Sequence, residues 1–521
     1  MRKRRWFQFA LASFLSTVAL AISPQPPAAQ DQAQVAAPKC NLIHAELPVA
    51  GLNDPTSSDP NKLTPVDAST KDMILKSGLP CEAINIPKGP NPATPSIANR
   101  QRGFDFYSWL TFIALNSPSG RPGEIASSRA DTKALWEDGT MFKPLLDVML
   151  PNEERPEWNK AVIPPACAKL HAEHPDRMVV KMIEESFNEP FKTGALIDQQ
   201  NNYAIFDILM NRAMFDYIVA HKLHSRAGQA SDENSSLRVD FPAGHHDKTG
   251  AGDPGAIMLK VSWRILTQQE IDENKFHRVE ALVAMPEVPD ETGTPPCLAK
   301  TLGLVGMHIV HKTAARPQWI WSSFEHADNV PEINDVQTRK LKPSYSFFDP
   351  SCLDENKCPF NATPPRPWDP EYAAELQFHK TADGKQFHSQ IVRMTNLTDA
   401  TNAINGKFQS ILGDTVWTHY IMIGTQWPSS FPCTGDHSSG PDPKTDFDKQ
   451  PDMNCAPAPT FLANSTLETF SQGSIPQASS SCMACHGNAT SYLRRSASAA
   501  NDPKEKFMNQ SDFTFMLEKA R

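Results

Sequence analysis

Two cysteines and a histidine near the end of the chain have types and spacing suited to binding a metal centre. Residues 481–487 read SCMACHG, so Cys482 and Cys485 are three positions apart and His486 follows directly. On one helical turn, positions i and i+3 share a face, so both thiols can reach the two vinyl groups along one porphyrin edge. The motif therefore predicts one covalent haem c, with Cys482 and Cys485 as its thioether residues and His486 as the proximal iron ligand.

Three other readings of the motif compete with haem attachment. A thioredoxin-like redox pair follows a strand and opens a helix, but the preceding residues SIPQASSS have no strand pattern. A zinc site would need a further ligand, and the usual second ligand pair at short spacing is missing from the sequence. The third alternative is a plain structural disulfide between the two cysteines. The specificity of the C-x-x-C-H pattern favours haem c over all three.

The second axial position of the haem decides its chemistry. Downstream of the motif the methionines are Met508 and Met516, and a Met/His pair would give a six-coordinate haem for electron transfer. Met516 lies in the apolar run FTFML, which favours a core role. Upstream, His308, His311 and His326 are candidate distal ligands or distal-pocket residues. In a strand His308 and His311 face opposite sides, so at most one of them faces the haem.

The position of the motif limits how the haem can be enclosed. Only 35 residues follow His486 (521 minus 486), whereas a common small cytochrome c places this motif near its N-terminus. We therefore expect residues from earlier in the chain, together with the terminal segment Phe513 to Leu517, to surround the haem. Several aromatic residues could line the porphyrin, although ordinary core packing is the commoner role of such residues: Trp319, Trp321, Phe324, Trp417 and Trp427.

Composition and charge exclude some functions. The chain has 521 residues, with 40% apolar and 21% charged residues, which is ordinary globular usage. Its formal net charge is -9 and its pI is about 6.0, and there is no basic stripe, so we expect no nucleic-acid partner. A mildly acidic surface could instead dock a basic redox partner protein in the periplasm.

The N-terminus has the pattern of an export signal. Basic residues from Arg2 to Arg5 precede an apolar run from Phe7 to Ile22, which has small residues at Ala19 and Ala21 before Pro24. The run is shorter and more polar than a spanning helix requires, so we expect residues 1–23 to be a cleaved signal peptide. The mature chain would then lie in the periplasm without a membrane span.

Eight cysteines remain outside the haem motif, an even number suited to disulfides in an oxidising compartment. Pairs that are near in sequence are favoured, namely Cys352 with Cys358 and Cys433 with Cys455. A further bond between Cys40 and Cys81 could clip an N-terminal arm. Sequence alone does not fix the connectivity.

The rest of the chain predicts an α+β fold. Residues 24–99 read as a proline-rich extended arm, 100–428 as an α+β body, and 429–521 as a linker with the C-terminal haem c segment. Helical spacing predicts helices over Phe104–Asn116 and Tyr203–Leu223. Between residues 256 and 324, four apolar runs predict an antiparallel sheet: IMLKVSWRIL, FHRVEALVAM, TLGLVGMHIV and PQWIWSSF.

A second group of elements is predicted downstream. A strand pair is expected at Gln390–Met394 and Val416–Gly424, with a helix over Ala400–Leu412 between them. The predicted architecture is a central antiparallel β-sheet region flanked by helices, with long proline-rich loops and a C-terminal helical haem segment.

The chain resembles a family of large, secreted, single-haem proteins described as cytochrome c family proteins. The stretches that carry the resemblance run from about residue 100 to the C-terminus: FYSWLTFIALN, LIDQQNNYAIFDILMN, LGLVGMHIVHKT, PQWIWSSFEHADNVP and LANSTLETFSQGSIPQASSSCMACHG. The resemblance implies haem binding and electron transfer in a bacterial periplasm, and it supplies no substrate.

Three functions follow as hypotheses. The first is a periplasmic c-type cytochrome that transfers electrons with a redox partner protein. The second is a haem-dependent oxidoreductase with an open distal site, such as an oxidase, peroxidase or oxygenase, because the body is larger than electron carriage requires. The third is a haem-based binding or sensing module.

Overall fold

A computed structural model gives the architecture of the chain. It describes residues 97–119, 130–235, 237–246, 251–285, 296–314, 316–365, 389–428, 457–472, 480–487, 489–493 and 511–521, with short pieces at 40–41, 71–72, 74–75, 78–81, 376 and 387. Ala37–Arg521 forms one compact unit. The predicted signal peptide, most of the predicted arm, Cys433, Cys455 and Met508 lie outside the described residues.

The α+β prediction is confirmed, because twelve strands join in one largely antiparallel sheet with helices around it. The strands are β1 Cys40–Asn41, β2 Phe142–Pro144, β3 Met178–Lys181, β4 Ile205–Asn211, β5 Ala243–His246, β6 Ala251–Gly255, β7 Ile257–Ile265, β8 Arg278–Ala284, β9 Cys297–Thr313, β10 Arg316–His326, β11 Tyr420–Pro428 and β12 Pro457–Ala458.

The long strand β9 organises the sheet. Strand β7 pairs along one edge of β9, while β8 and then β10 pair along its other edge. The sheet continues outward through β4 and β2 on the β7 side, and through β11 and β12 on the β10 side. The parallel contacts in the described sheet are β3 with β8 and one bridge between β5 and β9. The four runs predicted between residues 256 and 324 are therefore the strands β7 to β10.

The helices lie around this sheet and include two of the three helices predicted from the sequence. They are α1 Ile97–Leu115, α2 Ala168–Glu173, α3 Arg212–Ala220, α4 Arg226–Gln229, α5 Gln268–Glu273, α6 Ile333–Thr338, α7 Asp399–Leu412 and α8 Cys482–His486. The predicted helix at Phe104–Asn116 corresponds to α1, which begins earlier. The predicted helix at Ala400–Leu412 corresponds to α7, whose N-cap Thr398 accepts a hydrogen bond from the Thr401 amide.

The two faces of the sheet bury different partners. On one face, α1 and α7 pack their aromatic residues against the strands. The Phe112 ring of α1 stacks on Phe324 of β10 at 4.3 Å, and the Trp109 ring stacks on Phe408 of α7 at 5.2 Å. The opposite face contributes to a second apolar cluster, which includes side chains from β4, β7, β9, β10, α8 and the last residues of the chain. This second face positions the C-x-x-C-H motif.

The predicted helix over Tyr203–Leu223 is wrong in its first half. Ile205–Asn211 is strand β4, which pairs with β2 and β7, and helix α3 begins only at Arg212. A strand buried on both faces shows no alternation of apolar and polar residues, so its periodicity cannot separate it from a buried helix. The Asn211 side chain caps α3 by accepting a hydrogen bond from the Met214 amide.

The predicted strand pair downstream is also partly wrong. Gln390–Met394 is not a strand, and Arg393 forms only an isolated bridge with Glu332. Val416–His419 is a turn of 3-10 helix, and the strand β11 starts at Tyr420 and continues to Pro428. Apolar residues in Gln390–Met394 and in Val416–His419 are buried without strand pairing. Their apolar pattern therefore led to a wrong prediction of strands.

Three disulfides join described cysteines: Cys40 with Cys81, Cys167 with Cys297, and Cys352 with Cys358. The first and third were expected, whereas the bond across 130 residues has no local signal in the sequence. Disulfides persist in oxidising compartments, which is compatible with an extracellular or periplasmic protein. Within the described residues, no helix combines the length and apolar character needed to cross a membrane.

Candidate functional site

The C-x-x-C-H motif forms the short helix α8, which we call the cysteine helix. Ser481 is its N-cap, because its hydroxyl accepts from the Ala484 amide at 3.3 Å and its carbonyl accepts from the Cys485 amide at 2.9 Å. A helix of five residues is far too short to be stable by itself. Its position must therefore come from contacts with the sheet.

Gln426 of β11 supplies the most direct of these contacts. Its side-chain oxygen accepts hydrogen bonds from the Met483 amide at 2.7 Å and from the Ser481 hydroxyl at 3.2 Å. Its amide nitrogen donates to the carbonyl of Pro459 at 2.7 Å. Gln426 is fully buried, as is the Met483 side chain. A glutamine from the sheet thus satisfies an amide in the first helical turn that has no partner inside the helix.

The two thiols of the cysteine helix are half-buried, and both lie outside the disulfides formed by the other described cysteines. Burial, with the nearby negative charge of Glu468, raises the pKa of Cys482 well above its ordinary value and that of Cys485 to about 12. Reactive redox cysteines have lowered pKa values, because the thiolate is the nucleophile. This environment disfavours the thioredoxin-like reading of the motif.

The imidazole of His486 is fixed by the end of the chain. Its Nδ1 atom lies 2.8 Å from the carbonyl oxygen of Phe513. A carbonyl only accepts, so Nδ1 must carry the hydrogen and the lone pair of the neutral ring is on Nε2. Burial lowers the pKa of His486 to about 4, against the opposing effect of the Phe513 hydrogen bond. A neutral imidazole whose other nitrogen donates to a carbonyl is the usual form of a metal-ligating histidine.

Aromatic rings flank the His486 imidazole. The Trp321 ring of β10 lies 4.6 Å from it, centroid to centroid, and the Phe515 ring lies at 5.0 Å in an edge-on arrangement. Trp321 is one of the five aromatic residues predicted as possible porphyrin-lining residues, and it contacts the His486 ring. Phe324 and Trp417 pack in the cluster under α1, and Trp427 stacks on Phe104 at 4.4 Å.

The backbone that presents the Phe513 carbonyl is strained. Asp512 has a φ of 49° and Phe513 a φ of 63°, both in the left-handed region. This conformation costs about 1–2 kcal/mol for an ordinary L-residue. Aspartate tolerates it better than phenylalanine does, so the surroundings must hold Phe513 in place.

His308 is the candidate distal histidine that lies on the same side of the sheet as the cysteine helix. Its Nε2 atom is 3.0 Å from each carboxylate oxygen of Glu468. Burial disfavours ionisation of Glu468, but the charge and hydrogen bond of His308, with the charge of Lys260, hold its pKa at about 2. Lys260 is the β7 neighbour of His308 across the sheet.

More charged residues continue this group. Lys260 donates weakly to the Leu467 carbonyl at 3.4 Å and lies 5.2 Å from the centre of the Phe206 ring. Glu189 accepts from the Thr469 amide and hydroxyl, each at 2.7 Å, and burial raises its pKa to about 7. Sequence reasoning missed Gln426, Glu468, Lys260 and Glu189, because single polar residues without a motif spacing give no pattern.

The other candidate histidines lie elsewhere. His311 is hydrogen-bonded to the Tyr107 hydroxyl of α1 and to the Pro254 carbonyl. His326 donates from Nε2 to the Lys275 carbonyl at 3.2 Å, accepts at Nδ1 from the Asp328 amide, and stacks on Phe276 at 3.8 Å. No described contact joins either histidine to the cysteine helix. The structure therefore brings His308, and not these two, to that side of the sheet.

Met516 lies in the second apolar cluster and is 3% exposed. Met508 lies outside the described residues. In the described part of the chain, no group of three or more histidine, cysteine, aspartate or glutamate side chains is arranged to hold a metal ion. Comparisons of the chain with protein-family models, with curated proteins and with solved structures found no match.

Proposed function

We propose that this protein is a periplasmic c-type cytochrome with one covalently attached haem, and that it transfers electrons to or from a redox partner protein. The observation that supports this proposal most directly is the hydrogen bond from His486 Nδ1 to the Phe513 carbonyl. It gives the histidine of a C-x-x-C-H motif the ring tautomer and the fixed orientation that an iron ligand needs.

The residues around the motif fit a haem. Cys482 and Cys485 would form the thioether bonds, and His486 Nε2 would bind the iron. The rings of Trp321 and Phe515 would exclude water beside the imidazole. When bound, the haem would supply one-electron redox chemistry at its iron. The protein's contribution would be to fix the ligand, the hydrogen bond to it and the apolar surroundings.

The proposed compartment and partner rest on separate observations. The three disulfides are typical of an oxidising environment, and the N-terminal sequence has the pattern of an export signal. The formal net charge of -9 favours docking to a basic surface on the partner.

Intact-mass measurement tests haem attachment. The chain would be made in a host competent for cytochrome maturation, and its mass under denaturing conditions should include one haem. The variant C482A/C485A should lose that added mass. The matched control C352A/C358A removes two cysteines from a disulfide and should keep it. A wild-type chain without added haem mass contradicts the proposal.

Spectroscopy tests electron transfer. An electron carrier should hold a low-spin ferric haem with two protein ligands, visible in the EPR spectrum. A purely high-spin ferric haem would contradict the electron-carrier role and leave haem attachment intact.

The His308–Glu468 pair favours a second candidate function, a haem-dependent oxidoreductase with an open distal site. A buried imidazole held by a carboxylate can act as a general acid when protonated and as a general base when neutral. This candidate predicts that carbon monoxide and cyanide bind rapidly to the haem protein, and that H308Q changes the rate of cyanide binding. H326Q is the control, because His326 is also a buried histidine and lies elsewhere. Absence of ligand binding by the wild-type protein excludes this candidate.

A further inference from the structure

The Phe513 carbonyl that orients His486 is adjacent to a buried ion pair. The preceding residue, Asp512, is fully buried, and its carboxylate accepts from the Lys312 ammonium group of β9. The same carboxylate accepts from the Phe241 amide at 2.8 Å and from the Trp319 indole nitrogen at 3.3 Å. Lys312 is itself only 2% exposed. The carboxylate is therefore held on three sides by the body of the protein.

These contacts bear on the strained backbone. Both Asp512 and Phe513 have left-handed φ angles. Such a backbone persists only where its surroundings over-determine it. The bonds to the Asp512 carboxylate fix the residue immediately before the carbonyl, so they determine where that carbonyl points.

The irregular pairing of β9 with β10 positions Trp319 and Trp321. The register between the two strands shifts between Arg316 and Ile320, and Trp319 in this stretch has a φ of 68°. An irregularity of this kind redirects a side chain out of the regular strand pattern. Here the Trp319 indole reaches Asp512, while Trp321, two residues later, reaches the His486 ring.

We propose that Lys312, Asp512 and Trp319 form a positioning network for His486, which sets the hydrogen bond from its Nδ1 atom and thereby tunes the potential of the haem. The inference rests on the proposed function. A strong hydrogen bond at Nδ1 makes the imidazole a better electron donor and stabilises ferric iron. Weakening the network should therefore raise the midpoint potential.

The alternative is that the ion pair only anchors the end of the chain. A matched control separates these two roles. Asp198 is another buried aspartate, paired with the buried Arg264, and its described hydrogen bonds are with the neighbouring loop and Arg264. D198N and D512N make the same chemical change, and both should lower the stability of the protein.

The experiment is a redox titration of haem-loaded D512N, D198N and wild-type protein, followed by absorbance. At a fixed ambient potential near the wild-type midpoint, D512N should hold several-fold more of its haem reduced than wild type. D198N should match wild type.

Each other outcome has a defined meaning. Equal potentials for D512N and wild type overturn the network, as does an equal rise in D512N and D198N. If D512N fails to fold, W319F decides, because it removes the indole hydrogen bond to Asp512 while keeping an aromatic ring and the Asp512 charge. A smaller rise supports the network, and no rise overturns it. A wild-type chain without covalent haem overturns both this inference and the proposed function, whereas an unchanged potential with haem attached overturns this inference alone.

Discussion

Replacement of Gln426 by alanine should loosen the cysteine helix more than any other single change in the sheet that supports it. The substitution leaves the buried Met483 amide without an acceptor, at a cost of about 1–3 kcal/mol. It also leaves a cavity where a fully buried side chain stood, and the two effects together should cost about 3 kcal/mol. This corresponds to roughly a 100-fold increase in the local opening equilibrium of the helix.

Hydrogen exchange read by mass spectrometry is the suitable assay, because it reports the local opening of a short segment directly. The peptide that contains residues 481–487 should exchange roughly 100-fold faster in Q426A than in wild type. Q426M fills most of the cavity and isolates the hydrogen-bond contribution. Q390A is the matched control, since Gln390 is 1% exposed and holds the backbone of Asp349 and Cys352 in a similar way. If Q390A accelerates exchange of residues 481–487 as much as Q426A does, the reasoning is refuted.

Three further predictions concern stability. The pKa of Glu468 is lowered to about 2, so its contribution to stability is present above pH 4.5 and is lost as the pH falls toward 2. E468Q should therefore lower the free energy of unfolding by about 3 kcal/mol at pH 7. In denaturant titrations, the stability of E468Q should also fall less steeply than that of wild type between pH 4.5 and pH 2. Burial raises the pKa of Glu189 to about 7, so as the pH rises this carboxyl group loses its proton in the unfolded chain before it does in the folded one. The free energy of unfolding therefore falls by about 3 kcal/mol between pH 4.5 and pH 7, and E189Q should remove this loss. C167A/C297A opens the disulfide loop that spans 130 residues and should cost about 5 kcal/mol, roughly twice the cost of opening the loop that spans 6, measured as a difference in denaturation midpoints.

Local patterns account for the parts of the fold that the sequence predicted. Strands β7 to β10 are rich in β-branched and aromatic residues and are bounded by turn residues, and helix α7 shows an apolar face at helical spacing. Helix α1 is instead a long run of mostly apolar residues that is buried on all sides from residue 102 to residue 115. Strand β4 was wrongly predicted as helix because both of its faces are buried. The residues of IFDILMN therefore show no periodicity that distinguishes a strand from a helix. The Asn211 cap was the one local signal of its end.

Only the part of the candidate site that lies in one short motif could be predicted from the sequence. The C-x-x-C-H spacing identifies the thiols and the histidine, whereas the groups that contact the histidine include Phe513, 27 positions away in sequence, and Trp321, 165 positions away. Gln426 is a single glutamine that belongs to no motif, and the carbonyl of Phe513 is a backbone group that every residue has. Neither contact can therefore be recognised in the sequence. The pairing of Asp512 with Lys312 spans 200 residues. Such contacts are set by tertiary packing, which no short-range pattern encodes.

The size of the body is not by itself an argument for catalysis. The cysteine helix has five residues and no stability of its own, so each restraint on it must come from elsewhere. Strand β11 supplies Gln426, strand β10 supplies Trp321, and strand β9 supplies Lys312 to the segment that holds His486. These three strands are neighbours in one sheet, and their other face needs α1 and α7 to bury it. These strands and helices thus form the scaffold that positions the cysteine helix and His486.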